Sequence, residues 1–144
     1  PDDVEVGDAL TVFVYRDSSD RLIATTNKPK IQLGELKRLK VSQVTGIGAF
    51  LDWGLEKDLL MPYKEQTTHV SEGSEYLVAL YIDKSGRLAA TMRINKYLEK
   101  SETLVKDSAV TGTIIGITPD YRAYVAVEDM MHLFLCQKCL NHLV

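Results

Sequence analysis

Cysteine is scarce in this chain: two among 144 residues, Cys136 and Cys139, only three positions apart. A small secreted domain held by disulfides uses more of them and spreads them more widely, so a cytoplasmic protein is expected. No apolar run approaches the ~20 residues that span a bilayer. Neither sign of charge dominates: the net charge is −3 and the pI about 5.6. A wholly basic binder of polyanions is therefore excluded, although a local basic face on an acidic body is not. A glycine-rich phosphate loop and a nucleophile elbow are both missing. His69 has no partner visible in the sequence, and the acidic residues fall in no motif. No enzyme is expected, and no cofactor. The N-terminus, Pro1-Asp2-Asp3-Val4, is acidic, lacks Met and is no signal peptide. It suggests a piece of a longer protein. Apolar residues make up 45% and charged residues 26%, the balance of a globular chain and not a disordered one. The length fits one domain or two very small ones.

What is present is a repeat at an offset of 66. Gly7, Val12, Tyr15, Asp17 and Ser19 recur as Gly73, Val78, Tyr81, Asp83 and Ser85, and Arg21, Leu22, Ala24 and Thr25 recur as Arg87, Leu88, Ala90 and Thr91. The shared pattern is an apolar run, a polar turn and a second apolar run, which predicts a strand, a tight turn and a returning strand. Between the copies, Leu39–Val44, Ala49–Trp53 and Leu59–Met61 read as three more strands, with a turn at Gly46-Ile47-Gly48 and a stop at Pro62. The stretch from Tyr63 to Glu72 is polar and reads as a loop or short helical turn. Five short strands in about 60 residues is the count of an OB-type barrel.

Past Asn95, the segment 96–107 is charged and reads as a linker with some helical character. Val110–Ile117 and Tyr121–Val127 read as strands. Laying Tyr124 on Phe50, an offset of 74, places Ala123 on Ala49 and Val125 on Leu51. The expected organisation is therefore the last two strands of one barrel (1–33), a complete barrel (34–95), a linker (96–107) and the first strands of another barrel (108–144). Each half would leave an open sheet face and unpaired edges, so the halves could complete one another or be exchanged between two chains as a dimer.

Lys40-Val41, Gly48-Ala49-Phe50-Leu51-Asp52, Leu60-Met61-Pro62, Gly73, Tyr81-Ile82-Asp83 and Gly86-Arg87-Leu88 resemble the pattern of the S-one RNA-binding domain. Val12–Tyr15, Arg21–Thr26 and above all the run Gly48 to Leu60 resemble the conserved virulence factor B-like family, bacterial RNA-binding proteins of tandem S-one domains. The resemblance covers residues 4–95 well, 108–128 moderately and 129–144 poorly. It implies an all-β chain of tandem small five-stranded OB-fold barrels, one complete and two partial. It also implies single-stranded RNA as partner and a role in regulating gene expression.

Stacked bases need flat apolar faces, and phosphates need cations. Period two puts Phe50 and Asp52 on one face and Ala49, Leu51 and Trp53 on the other. Trp53 should then pack in the core or its rim, whereas the resemblance places Phe50 at the stacking position. Ile47 stands where the family often has a second aromatic, and Pro62 where a binding His often follows the third strand. The resemblance sets Arg87 by the phosphate track with Asp83 near it; a turn-closing ion pair is the plainer alternative. Asp17 and Arg21 repeat that arrangement. Tyr121 and Tyr124 match Ile47 and Phe50 in the following unit, as a stacking pair or as ordinary strand tyrosines. Lys28, Lys30, Lys37, Arg38 and Lys40 are the densest basic run, either phosphate contacts or a solvated connection. His132, Cys136, Cys139 and His142 are weak zinc candidates, since one Cys-x-x-Cys beside two histidines lacks the loop that wraps a metal. Two functions compete. The first is a module that holds single-stranded RNA. The second is a protein–protein adaptor using barrel edges and the 63–72 loop.

Overall fold

A computed structural model describes residues 3–17, 19–98, 109, 111–117, 119 and 123–127, and the backbone of 132–136. Its strands are β1 (Phe13–Arg16), β2 (Leu22–Thr25), β3 (Leu36–Thr45), β4 (Gly48–Asp52), β5 (Leu59–Pro62), β6 (Glu75–Ile82), β7 (Leu88–Thr91), β8 (Gly112–Ile117), β9 (Ala123–Val127) and β10 (His132–Cys136). Short 3-10 turns cover Tyr63–Glu65 and Asn95–Tyr97.

The centre of the molecule is a five-stranded antiparallel sheet in the order β5-β4-β3-β6-β7. β3 is long, ten residues, and serves both halves: its end pairs with β4 and its beginning with β6. A bulge between Val41 and Gln43 bends it at the changeover. The bend brings β5 beside β7 and nearly closes a barrel. The 3-10 turn after β5 fastens that seam. The Glu65 carbonyl accepts from Met92 N–H at 2.9 Å, its carboxylate accepts from the Thr91 hydroxyl at 2.7 Å, and Arg93 Nε donates to the Lys64 carbonyl at 2.8 Å. Leu39, Val41, Ala49, Leu51, Leu59, Met61, Val78, Leu80 and Ala90 alternate with outward residues along their strands and fill the interior. The five strands read from the sequence are thus all present, and the polar stretch after Pro62 begins as the expected short turn.

The repeated hairpins share one register. Phe13↔Thr25 through Arg16↔Leu22 correspond pair for pair, at the offset of 66, to Ala79↔Thr91 through Ile82↔Leu88. Both turns are closed alike. Asp17 N–H donates to the Arg21 carbonyl at 2.9 Å, and Asp83 N–H to the Arg87 carbonyl at 2.8 Å. The faces, however, are used in opposite ways. In the barrel, Val78 and Leu80 point inward. Their counterparts Val12 and Val14 are exposed. Phe13 and Tyr15 instead turn toward the barrel and pack on its core.

β8, β9 and β10 form a separate sheet in the order β10-β9-β8. Its β8–β9 pair has a bulge between Ile114 and Gly116, matching the β3–β4 bulge. Tyr124 follows that bulge opposite Gly116 as Phe50 follows its own opposite Gln43. Ala126 and Ile115 pack with Leu77, Ala79 and Leu36 on the outside of the barrel. Mutual completion of the two ends is not what forms: among the described residues no ladder joins β1–β2 to β8–β10. Each end is instead held separately on the barrel, which offers both of them an apolar surface. Most of the 96–107 segment lies outside the described residues.

Candidate nucleic-acid interface

Open OB barrels present ligands with the face of their second and third strands and the turns 1–2 and 4–5. Here those are the outer face of β4–β5, the turn 45–48 and the turn 83–87. Period two assigns the face. Ala49, Leu51 and Trp53 are buried, while Phe50 and Asp52 are half-buried on the outer side. Phe50 lies opposite Leu60 on β5 and Gln43 on β3. Its ring is thus set on a flat surface with sheet neighbours on both sides.

Two exposed apolar groups lie at the 45–48 turn where β4 begins. Ile47, on the turn, is 63% exposed. Tyr63 is 51% exposed, and its hydroxyl donates to the Thr45 carbonyl at 2.5 Å. That bond ties the residue after β5 to the turn before β4. Tyr63 was missed in the sequence because it opens a polar stretch. Only the β4–β5 pairing, with Gly48 opposite Pro62, brings it beside residues 45–48.

At the other end of β4, Asp52 lies opposite Lys40 and accepts from Lys30 Nζ at 2.5 Å. The Lys30 contact, the Gly54 N–H and the more distant Lys40 charge hold the Asp52 carboxyl below its ordinary value. Lys30 reaches it because the chain before β3 runs along the end of β4, with Lys30 N–H donating to the Trp53 carbonyl at 2.7 Å. Trp53 itself is 3% exposed. Its indole N–H donates to the Lys57 carbonyl at 2.6 Å, and its ring meets Phe13 and Tyr15 edge-on at 6.0 and 6.1 Å. The expected core position of Trp53 is therefore what the structure shows.

The basic run divides. Arg38 and Lys40 share the outer face of β3, with Arg38 donating to the Thr113 hydroxyl, and Lys37 lies on alternate parity. Lys28 is exposed on the connection. Asp83 accepts from the Ser85 hydroxyl at 2.6 Å and from the N–H groups of Ser85 and Arg87 at 2.8 and 3.0 Å. Burial pushes its carboxyl up, but these bonds outweigh burial and hold it below the ordinary value. The plain ion-pair reading fits the first hairpin better. There Arg21 grips Asp17 through Nε at 3.0 Å and Nη2 at 2.8 Å. Arg87 acts on Asp83 through its charge, and its Nε lies 3.8 Å from Asp20.

Phe50 and Arg87 are not in one contact cluster: the 45–48 turn ends β3, whereas the 83–87 turn lies toward its beginning. Tyr124 is half-buried on β9. Tyr121, Cys139 and His142 lie outside the described residues, and for His132 and Cys136 only a place on β10 is defined. Among the described residues no cluster of metal-ligating side chains occurs and no helix is long and apolar enough to cross a membrane.

A nearly closed five-stranded barrel with an outward aromatic on its second strand defines an OB-type binding module. The chain belongs to the S1 domain family, whose model matches residues 1–27 and 33–93. It is 28% identical over 122 residues to conserved virulence factor B of Staphylococcus saprophyticus, and 29% identical over 122 residues to that of Staphylococcus haemolyticus. Each match takes in 82% of this chain and 41% of the relative, so the chain spans about two fifths of their length. A multidomain protein with nucleic acid binding domains from Streptococcus pneumoniae has a similar fold, with a TM-score of 0.60 at 16% identity, covering 92% of this chain and 50% of that one.

Proposed function

We propose that this chain binds single-stranded RNA on its barrel surface, without catalysis, as part of a bacterial cytoplasmic regulator of gene expression. The observation that carries the reading is the placing of Phe50 in an S1-family barrel: outward on the second strand, which begins at a turn carrying exposed Ile47 and tied to exposed Tyr63. Such a face stacks bases without needing to read their edges. Lys40 and Arg38 on β3 supply phosphate contacts, and Arg87, with Asp83 shaping its turn, supplies one farther along the strand at the 83–87 turn. Lys37 and Arg21 lie further off that track, and Tyr121 and Tyr124 would extend it onto the next unit. The S1 domain family and the neighbour with nucleic acid binding domains support the same class of ligand.

We also read residues 1–33 as the end of a preceding barrel and 108–144 as the start of a following one. The registers that repeat at 66, and the shared bulge near Tyr124, support this division. The exposed Val12, Val14 and Leu22 are then interior positions of that preceding barrel.

Fluorescence anisotropy with oligo-U, oligo-A and duplex at two salt concentrations tests the function. Single strands should bind more tightly than duplex, and Phe50→Ala should weaken them by about 1–3 kcal/mol. A folded Phe50→Ala that binds like wild type removes the stacking role. A wild type that ignores single strands removes the function and favours the adaptor reading.

A further inference from the structure

Among the described residues Asp20 is the one non-glycine with a left-handed backbone, at φ +63°. Its counterpart in the repeated hairpin is Gly86, at φ +79°. A side chain there carries a steric cost that glycine avoids, although Asp tolerates it better than most residues. Such an outlier points to a use for the side chain.

The two hairpins use their arginines differently. Arg21 is locked on Asp17, the acid of its own turn. In the second hairpin the acid takes its hydrogen bonds from Ser85 and from backbone N–H groups, and the Arg87 guanidinium acts on it through charge alone. It meets Asp20, delivered from the other hairpin, with Nε 3.8 Å from Oδ1. Arg87 Nε is shielded from solvent and has no hydrogen-bond partner, while 43% of the side chain remains exposed. At 3.8 Å the contact is electrostatic and not a hydrogen bond, so a closer acceptor would displace it. Asp20 is held near by Arg16, at 3.5 Å, and by the docking of Phe13 and Tyr15 on Trp53.

We infer that Asp20 is a built-in competitor for Arg87: its carboxylate occupies the guanidinium in the free protein and yields it to a nucleic-acid phosphate. This rests on the phosphate role proposed for Arg87. Carboxylate and phosphate both match the guanidinium fork, and holding both would set like charges a few ångströms apart. The exchange lowers affinity for any polyanion at this turn. Stacking at Phe50 then makes up a larger share of what binds.

The test uses the whole chain and a labelled oligo-U strand, with Asp20→Gly and Asp20→Asn each made alone and with Arg87→Gln. Glycine removes the backbone cost as well as the charge, and asparagine removes the charge at nearly constant shape. Both single variants should bind about two- to fivefold more tightly at low salt, the worth of an exposed ion pair. Their salt slope should steepen by about 0.7, one phosphate contact on a single strand. In the Arg87→Gln background the gain should vanish. The Arg87 Nε–Hε resonance should move in Asp20→Asn without any ligand. Unchanged binding in both Asp20 variants, a gain that survives Arg87→Gln, or an unmoved resonance overturns the inference while leaving the binding function standing. If Arg87→Gln alone binds like wild type, the phosphate role of Arg87 falls and the inference falls with it.

Discussion

Trp53→Ala removes a side chain that ties three parts of the molecule together. The ring is 3% exposed and belongs to the barrel core. Truncating a buried aromatic costs about 3–5 kcal/mol, through transfer energy and the cavity left behind. Two further effects fall on the same site. The indole N–H to Lys57, at 2.6 Å, is worth about 1 kcal/mol net. The edge-on packing with Phe13 and Tyr15 contributes about 0.5–1.5 kcal/mol beyond its buried area. Effects sharing one cavity do not add fully. An expected total of about 4–6 kcal/mol is a large share of the ~5–15 kcal/mol that a domain has. Trp53→Phe keeps most of the packing and loses the hydrogen bond, so about 1–2 kcal/mol is expected. Urea unfolding followed by circular dichroism measures both, since the variants lack the only tryptophan. Phe50→Ala is the control. Its ring is half-buried on the outer face and leaves no enclosed cavity when truncated, so it should cost about 1–2 kcal/mol, less than the core ring. Should Trp53→Ala unfold within about 1 kcal/mol of wild type, or Phe50→Ala cost more than it does, the assignment of faces on β4 is wrong.

Gly48→Ala would place a Cβ 2.4 Å from the Met61 carbonyl oxygen at φ +150°, and both are backbone constraints. A loss of about 2–4 kcal/mol is expected in urea unfolding, and a neutral variant would contradict the close approach of β4 and β5. Asp17 is held below the ordinary 3.8, first by the Arg21 N–H and then by the Arg21 side chain. A depressed carboxyl stabilises the fold above its unfolded value and loses that contribution as pH falls through the folded one. Thermal melts should therefore be level above about pH 4 in this respect and decline below it, with a shallower decline in Asp17→Asn; parallel acid limbs would refute this. Arg38→Gln with Lys40→Gln should flatten the salt slope of single-strand binding by about 0.7 for each phosphate no longer neutralised, whereas Lys37→Gln should leave it nearly unchanged. Equal effects from all three would show that strand parity does not sort them.

The strands, the repeat and the two faces of β4 were legible in the sequence because they are local. Alternation at Phe50-Leu51-Asp52-Trp53 follows from the pleat alone, and the repeated hairpins carry matching turn residues at Asp17–Arg21 and Asp83–Arg87. The family resemblance located Phe50 on the second strand, and the fold agrees. Long-range placement was not legible. Lys30 beside Asp52, Tyr63 against Thr45 and Asp20 against Arg87 join residues 22, 18 and 67 positions apart. Such pairings depend on how the barrel closes and on which surface each end finds. Neither leaves a periodic trace in the chain. The same limit governs the first hairpin. Its two apolar faces look alike in sequence, and the packing partner decided that Phe13 and Tyr15 turn toward the barrel while Val12 and Val14 remain open. A strand's pattern names its two faces, and the partner within reach determines which face is buried.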